Sequence, residues 1–309
     1  MGALPLRLGT RGSALALAQA NQVSEAVGGG AIVEIKTSGD QGARPSGPVV
    51  GGDKARFVRE IERALLDGEV DLGVHSAKDL PTALPAGLEL AGVTPREDAR
   101  DAYVGDAGSL AELREGARIG TSSLRRRAQL LALRDDLDVV SLRGNVDTRL
   151  RKLKTEGLDG IVLAAAGLRR LDRESEIAFR FAPEEMTPAP GQGALALEVR
   201  DGDSAAATAA QVATDRESLA TVSAERAAVA ALDASCNTPV GAHARIDSGR
   251  MRIAGFCGLP DGSEWIRDEV EADASEPEWI GGELGERMLA AGAAELLERA
   301  ERMAVEATT

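Results

Sequence analysis

Two runs of the chain crowd hydroxyl, glycine and arginine side chains together: Thr121-Ser122-Ser123-Leu124-Arg125-Arg126 and Leu142-Arg143-Gly144-Asn145-Val146-Asp147-Thr148-Arg149. Each starts at the end of a predicted strand and opens a predicted helix, so guanidinium forks and helix-start N–H groups converge on one side of a sheet. That is the chemistry of anion capture. Taken singly, each arginine reads equally well as a solvated helix-face charge in an ordinary ion pair. Lys78-Asp79 follows an apolar strand and precedes Leu80-Pro81, which puts a carboxylate at the carboxyl edge of a sheet, where ligands bind in open α/β folds. Asp79 there caps the turn, or it binds N–H donors and offsets positive charge as it develops. Cys236 lies in the loop Ala234-Ser235-Cys236-Asn237-Thr238-Pro239-Val240-Gly241. A loop thiol is a nucleophile or a covalent tether, and otherwise a small buried apolar group. Cys257 and His75, both inside strands, read as core or supporting residues.

The elements that must position these groups alternate between strand and helix, the pattern of parallel sheets crossed by helices. Leu6 to Leu8 is a strand, Gly9-Thr10-Arg11-Gly12 a turn, and Ser13 the N-cap of a helix reaching about Val27. A second strand covers Ile32 to Lys36. The stretch from Ser38 to Lys54 holds five glycines and two prolines and reads as a long mobile loop. A helix over Phe57 to Asp67 closes at Gly68, and Leu72 to His75 is a buried strand. The sequence Ile119-Gly120-Thr121-Ser122-Ser123 echoes Leu8-Gly9-Thr10-Arg11-Gly12-Ser13. Two such units imply two similar α/β lobes, each turning a helix N-terminus toward a shared cleft. Strands at Val139 to Ser141 and Gly160 to Leu163 flank a helix from Val146 to Glu156, and Ala194 to Val199 is a strand that returns to the first lobe. An alanine-rich helix over Asp215 to Asp233 then precedes three antiparallel strands, Ala242 to Ile246, Arg252 to Cys257 and Trp265 to Val270, and a final helix from Trp279 to about Arg299.

Composition narrows the function classes. At 309 residues the chain exceeds one hydrophobic core, so two or three domains are expected. Aromatics are 2% of residues and the net charge is −14, which argues against stacking on nucleic acid or binding an anionic membrane. Of the 36 basic residues only Lys36, Lys54, Lys78, Lys152 and Lys154 are lysines; the other 31 are arginines, many between Arg118 and Arg173. Arginine grips carboxylates in two-pronged fashion, so an acidic protein with a local arginine surplus suggests a pocket for a small polyanion. Two cysteines and two histidines without ligand spacing point away from a metal site, and the absence of a signal-like run near Met1 points to the cytosol.

Taken together, five segments resemble the porphobilinogen deaminase (hydroxymethylbilane synthase) family: Gly9-Thr10-Arg11-Gly12-Ser13, Val74-His75-Ser76-Ala77-Lys78-Asp79-Leu80-Pro81, Gly120-Thr121-Ser122-Ser123-Leu124-Arg125-Arg126, Arg143-Gly144-Asn145-Val146-Asp147-Thr148-Arg149, and Pro190-Gly191-Gln192-Gly193-Ala194. The resemblance runs from Leu6 to about Gly262. It implies an α/β fold of two periplasmic-binding-protein-like lobes with mixed and parallel sheets, plus a small α+β C-terminal domain with a three-stranded antiparallel sheet. Residues 1–94 with 194–212, residues 99–188 and residues 216–309 would be the three domains.

The resemblance also implies one dipyrromethane cofactor per chain, joined to Cys236 by a thioether. Asp79 would be the catalytic carboxylate, helping to expel ammonia from porphobilinogen, to stabilise the azafulvenium ion and to deprotonate the pyrrole carbon after coupling. Lys78, Asp79, Ser123, Arg125 and Arg126 would hold the cofactor; Arg11, Ser13, Gln19, Lys54, Arg143, Arg149 and Arg170 would bind substrate or the growing chain. The sequence departs from the family pattern at Gly51-Gly52-Asp53-Lys54-Ala55-Arg56-Phe57, where a lid loop is implied, and at Ala234-Ser235 before the tether cysteine. A cytoplasmic monomer acting on a small molecule is expected, with neither nucleic acid nor membrane as partner. The rival from another class is a non-catalytic two-lobed sensor of a small anion, which would keep the arginines but have no use for Asp79 or Cys236.

Overall fold

A computed structural model describes residues 5–37, 58–234 and 238–306. In chain order its strands and helices are β1 (Arg7–Arg11), α1 (Ala14–Ala26), β2 (Ala31–Ile35), α2 (Arg59–Leu66), β3 (Leu72–Ser76), β4 (Leu88–Val93), β5 (Asp101–Gly105), β6 (Arg118–Gly120), α3 (Leu124–Leu133), β7 (Asp138–Val140), α4 (Val146–Thr155), β8 (Gly160–Ala164), α5 (Ala165–Arg170), β9 (Phe179–Arg180), β10 (Leu195–Arg200), α6 (Ser204–Val212), α7 (Arg216–Ala231), β11 (Val240–Asp247), β12 (Arg250–Gly258), β13 (Trp265–Asp273), α8 (Pro277–Ala290) and α9 (Ala293–Glu306). The chain divides into two compact units, residues 1–97 with 194–222 and residues 98–193 with 223–309, the division falling within α7.

The first unit is built on one five-stranded sheet in the order β2-β1-β3-β10-β4. β1 runs parallel to β2 and β3, and β10 runs antiparallel to β3 and β4. Both faces are covered, which is why β3 reads Leu72-Gly73-Val74-His75 without polar alternation. One face packs Leu8, Leu72, Val74, Leu195 and Leu197 against Val23 of α1 and Ala206 and Ala210 of α6. The other collects Val58, Ala77, Val93, Ala194, Ala196 and Val222 in one cluster, and Ala64, Leu65, Val70 and Leu88 in another.

The second unit repeats the design in a sheet ordered β7-β6-β8-β5-β9. Again three strands are parallel neighbours and the fourth, here β5, is antiparallel. The short echo of Gly-Thr turn and serine therefore marks equivalent places: β1 with α1, and β6 with α3. Tyr103, Ile119, Leu130, Val139, Val162 and Phe181 fill one face, with Tyr103 stacked on Phe179 at 4.8 Å between ring centres. The same unit holds the antiparallel sheet β11-β12-β13. Glu225 of α7, fully buried, accepts from the Gly191 and Ala244 N–H groups at 2.6 and 2.7 Å and ties the helix to both neighbours.

Two expectations are corrected. β1 extends through Arg11, so Thr10 is buried inside the sheet rather than in a turn. The single C-terminal helix is two, because Gly292 adopts a φ of +99° that breaks the run between α8 and α9. β4, β5, α5 and α6 are elements that the sequence reading leaves unassigned.

Candidate active site

In the first unit β1 and β3 run the same way, so Arg11 and Ser76 leave the sheet at its carboxyl edge. After Arg11 the chain turns at Gly12, and the Ser13 hydroxyl accepts from the Ala16 N–H at 3.3 Å, capping α1. After Ser76 a tight 3₁₀ turn over Ala77–Asp79 buries Ala77 and leaves Lys78 and Asp79 half-exposed at that edge. A cavity of about 20 Å³ opens there, enough for about one water, lined by Arg11, Gln19, His75, Ser76 and Asp79 among apolar neighbours. The Gln19 amide donates to Ser76 Oγ at 2.9 Å, which fixes this wall. Arg11, Gln19 and Asp79 are thus brought together; Ser13 serves as the cap of the adjoining helix, and Lys78 sits beside Asp79 on the turn.

In the second unit β6, β7 and β8 are parallel and end at Gly120, Val140 and Ala164. Ser123 caps α3, accepting from the Arg126 N–H at 3.4 Å, and Asn145 caps α4, accepting from the Thr148 N–H at 2.9 Å. Two helix N-termini therefore open at one sheet edge. Arg143 is exposed just before the second cap, where Gly144 adopts a φ of +128°, and Arg149 is half-buried in α4. Arg170 closes α5 and donates to the Gly193 carbonyl at 2.8 Å.

Arg125 and Arg126 face inward. Arg125 Nη1 lies 2.7 Å from Asp101 Oδ2 and donates to the Thr187 carbonyl at 2.6 Å. Arg126 Nε donates to Asp101 Oδ1 at 2.9 Å, and its Nη1 donates to the Val162 carbonyl. Gln192 adds a third donor to Asp101 Oδ1 at 3.0 Å. All four side chains are buried, Asp101 completely. Burial pushes the Asp101 carboxyl upward, but Arg125, Arg126 and the Gln192 amide outweigh it and hold the group well below the usual carboxylate range. Two guanidiniums against one carboxylate leave a single positive charge in excess beside the start of α3.

Sequence reasoning missed Asp101 and the role of Gln192. A carboxylate opening the apolar strand Asp101-Ala102-Tyr103-Val104 was the available signal, since a charge in a core strand demands partners. Replacing Asp101 with alanine leaves two buried guanidiniums uncompensated and is expected to cost about 3–5 kcal/mol of stability, read from the urea midpoint; a loss under about 1 kcal/mol would refute the pairing. Because its folded pKa is depressed, the stabilisation from Asp101 is complete at neutral pH and is lost only as acid reaches below the ordinary carboxylate range. Lys54 and Cys236 lie outside the described residues. Cys257, by contrast, is fully buried in β12, and burial pushes its thiol up to about 12.

A family model described as porphobilinogen deaminase, dipyromethane cofactor binding domain, matches residues 6–208, and another described as porphobilinogen deaminase, C-terminal domain, matches residues 219–290. The porphobilinogen deaminase of Thermus thermophilus is 49% identical over 298 residues, 94% of this chain and 97% of that protein. That of Trichlorobacter lovleyi is 45% identical over 299 residues, 95% of this chain and 96% of its own. Among solved structures, an arginine-specific periplasmic binding protein of Salmonella typhimurium covers 70% of this chain and 94% of its own at 14% identity, with a TM-score of 0.38, too slight a likeness to argue from.

Proposed function

The chain belongs to the porphobilinogen deaminase family, and from that premise we infer that it is the transferase which strips ammonia from porphobilinogen and joins four molecules head to tail into hydroxymethylbilane. The observation that carries the reading in this chain is the convergence of Arg11, Gln19 and Asp79 on one cavity at the carboxyl edge of the first sheet. A pyrrole bearing acetate and propionate needs donors for its carboxylates and an acceptor for its N–H, and at this sheet edge Arg11 supplies a cation for the first and Asp79 the second.

The residues also fit a dipyrromethane, whose four carboxylates call for several fixed cations. The unbalanced positive charge of the Arg125–Arg126–Asp101 group, the hydroxyl of Ser123 and the ammonium of Lys78 are of the right chemistry to hold it. Cys236 is assigned as its thioether anchor. When bound, the group supplies the pyrrole carbon at which the first substrate is joined.

Asp79 accepts a hydrogen bond from the substrate pyrrole N–H, offsets the positive charge that grows as ammonia leaves, and takes the proton released at the ring carbon after coupling. Arg11, Ser13, Gln19, Arg143, Arg149 and Arg170 bind the carboxylates of incoming substrate or of the growing chain. Lys54 is assigned to a lid loop that excludes water during the step. The second unit is read as two domains, residues 99–188 and 216–309, and the protein as a cytoplasmic monomer. No helix among the described residues is long and apolar enough to cross a membrane.

Intact-protein mass spectrometry tests the assignment directly. The purified protein should weigh about 420 Da more than its chain, the mass of one dipyrromethane on one thiol, and should gain one-ring increments on brief exposure to porphobilinogen. A bare chain mass with no turnover would overturn it.

A further inference from the structure

A fully buried glutamate sits in β10, in the middle of the first sheet, where the sequence Leu195-Ala196-Leu197-Glu198-Val199 otherwise buries only apolar groups. Its place follows from the register: Glu198 pairs with Gly73 and Ala196 with His75, so Glu198, Gly73 and His75 share one face of the sheet. Gly73 makes the room. A Cβ at that position would come within 2.9 Å of His75 Nε2 and 3.1 Å of Ile61 Cγ2. His75 Nε2 consequently stands 3.0 Å from Glu198 Oε2, yet off the axis of a hydrogen bond. Glu62 of α2, 6% exposed, packs over the same face. Glu62 Oε1, His75 Nε2 and both Glu198 oxygens are all buried with no hydrogen-bond partner among the described residues. Two carboxylates packed together out of water repel each other, which favours a proton on Glu62.

The remaining surroundings do little to relieve the pair. Arg59 on α2 draws Glu62 toward the ionised form, as does His75. Val33, Ile35, Leu65 and Val222 are apolar, and among the described residues the charged groups of the adjoining cavity are Arg11 and Asp79. Burial, then Glu198, outweigh the cations and push the Glu62 carboxyl up to about 7. Of the three, His75 is also a wall of the Asp79 cavity.

We propose that Glu62, packed with His75 and Glu198 behind the Arg11–Asp79 cavity, carries a proton whose loss makes this cluster more negative by one charge and so weakens the cavity's hold on an anionic substrate. The inference rests on the reading that this cavity receives the carboxylates of porphobilinogen. These three are positioning residues, acting through the field at Arg11. One added charge at cavity distance, partly screened, changes anion affinity by about three- to tenfold.

The test compares the wild-type holoenzyme with E62Q, which fixes the neutral form at the same size. Between pH 6 and 8.5 the wild-type KM for porphobilinogen should rise about three- to tenfold with kcat changing much less, and the KM of E62Q should stay flat. An E62Q profile that follows the wild type overturns the proposal, as does a change confined to kcat. Two measurements need no turnover. Infrared titration of the wild type should show a protonated carboxylic acid at pH 6 that is lost by pH 9 and is missing from E62Q; its absence from the wild type overturns the proposal even if E62Q fails to fold. Because the folded pKa of Glu62 is raised, the folded state binds more protons than the unfolded one between about pH 4.5 and 7, so wild-type stability should fall as pH rises through that window and that fall should vanish in E62Q. A wild type with no turnover but with the infrared signal would instead count against the deaminase reading alone.

Discussion

Asp79→Ala should lower kcat about 10²- to 10³-fold while the covalent mass on the protein is kept and affinity for substrate falls much less. The turn over Ala77–Asp79 is held from both sides, by burial of Ala77 and by the hydrogen bond its N–H donates to the Ala194 carbonyl at 3.0 Å, so removing a half-exposed carboxylate leaves the backbone in place. What is lost is, among the described residues, the one acidic side chain lining the cavity. Positive charge grows on the pyrrole as ammonia departs, and a fixed carboxylate at that spot stabilises the transition state more than the ground state. Asp79→Asn separates charge from hydrogen bonding: the amide oxygen still accepts from the pyrrole N–H, so binding should survive better than turnover. The checks are single-turnover rates and intact mass on one sample. A loss of under tenfold in kcat, with only affinity altered, would favour the small-anion sensor over the enzyme.

Local rules made much of the site legible, and long-range pairing hid the rest. Ser13, Ser123 and Asn145 were readable as caps or helix openings because a cap answers to the next three residues. Asp79 was readable at a sheet edge because a strand and a tight turn precede it. The burial of Arg125 and Arg126 against a carboxylate was not, since Asp101 reaches them from β5, a strand the turn pattern left unassigned. The two arginines look like open anion ligands in sequence and are half of a buried ion group in the fold. Likewise Glu198 and His75 lie far apart in the chain and meet only because β10 inserts beside β3, opposite a glycine. The doubling of strand and helix around Gly-Thr proved sound, although in the first unit Gly9 and Thr10 belong to the strand and not to a turn. It carried no hint that each sheet takes an antiparallel fourth strand.

Cys236→Ala should abolish the extra mass and reduce turnover by more than about 10³-fold, the largest effect expected of any single change. Likeness to the family assigns the anchor to Cys236, and the chain's other thiol is no substitute for it. Thioether formation needs a thiolate that an electrophilic carbon can approach. Cys257 meets neither condition: it is fully buried, paired in register with Val240 on one side and Ile266 on the other, and its thiol is held near 12 by burial. At neutral pH it is protonated and enclosed by two neighbouring strands, so it cannot take over as anchor when Cys236 is gone. The converse variant, Cys257→Ala, should keep the full added mass and the one-ring increments, losing only packing stability. A ligand bonded to the folded protein alone also stabilises it, so Cys236→Ala should melt at lower temperature than the wild type, whereas a sensor without a covalent group would melt unchanged. Retention of the added mass in Cys236→Ala would place the anchor elsewhere and remove the basis for assigning the cofactor to that loop.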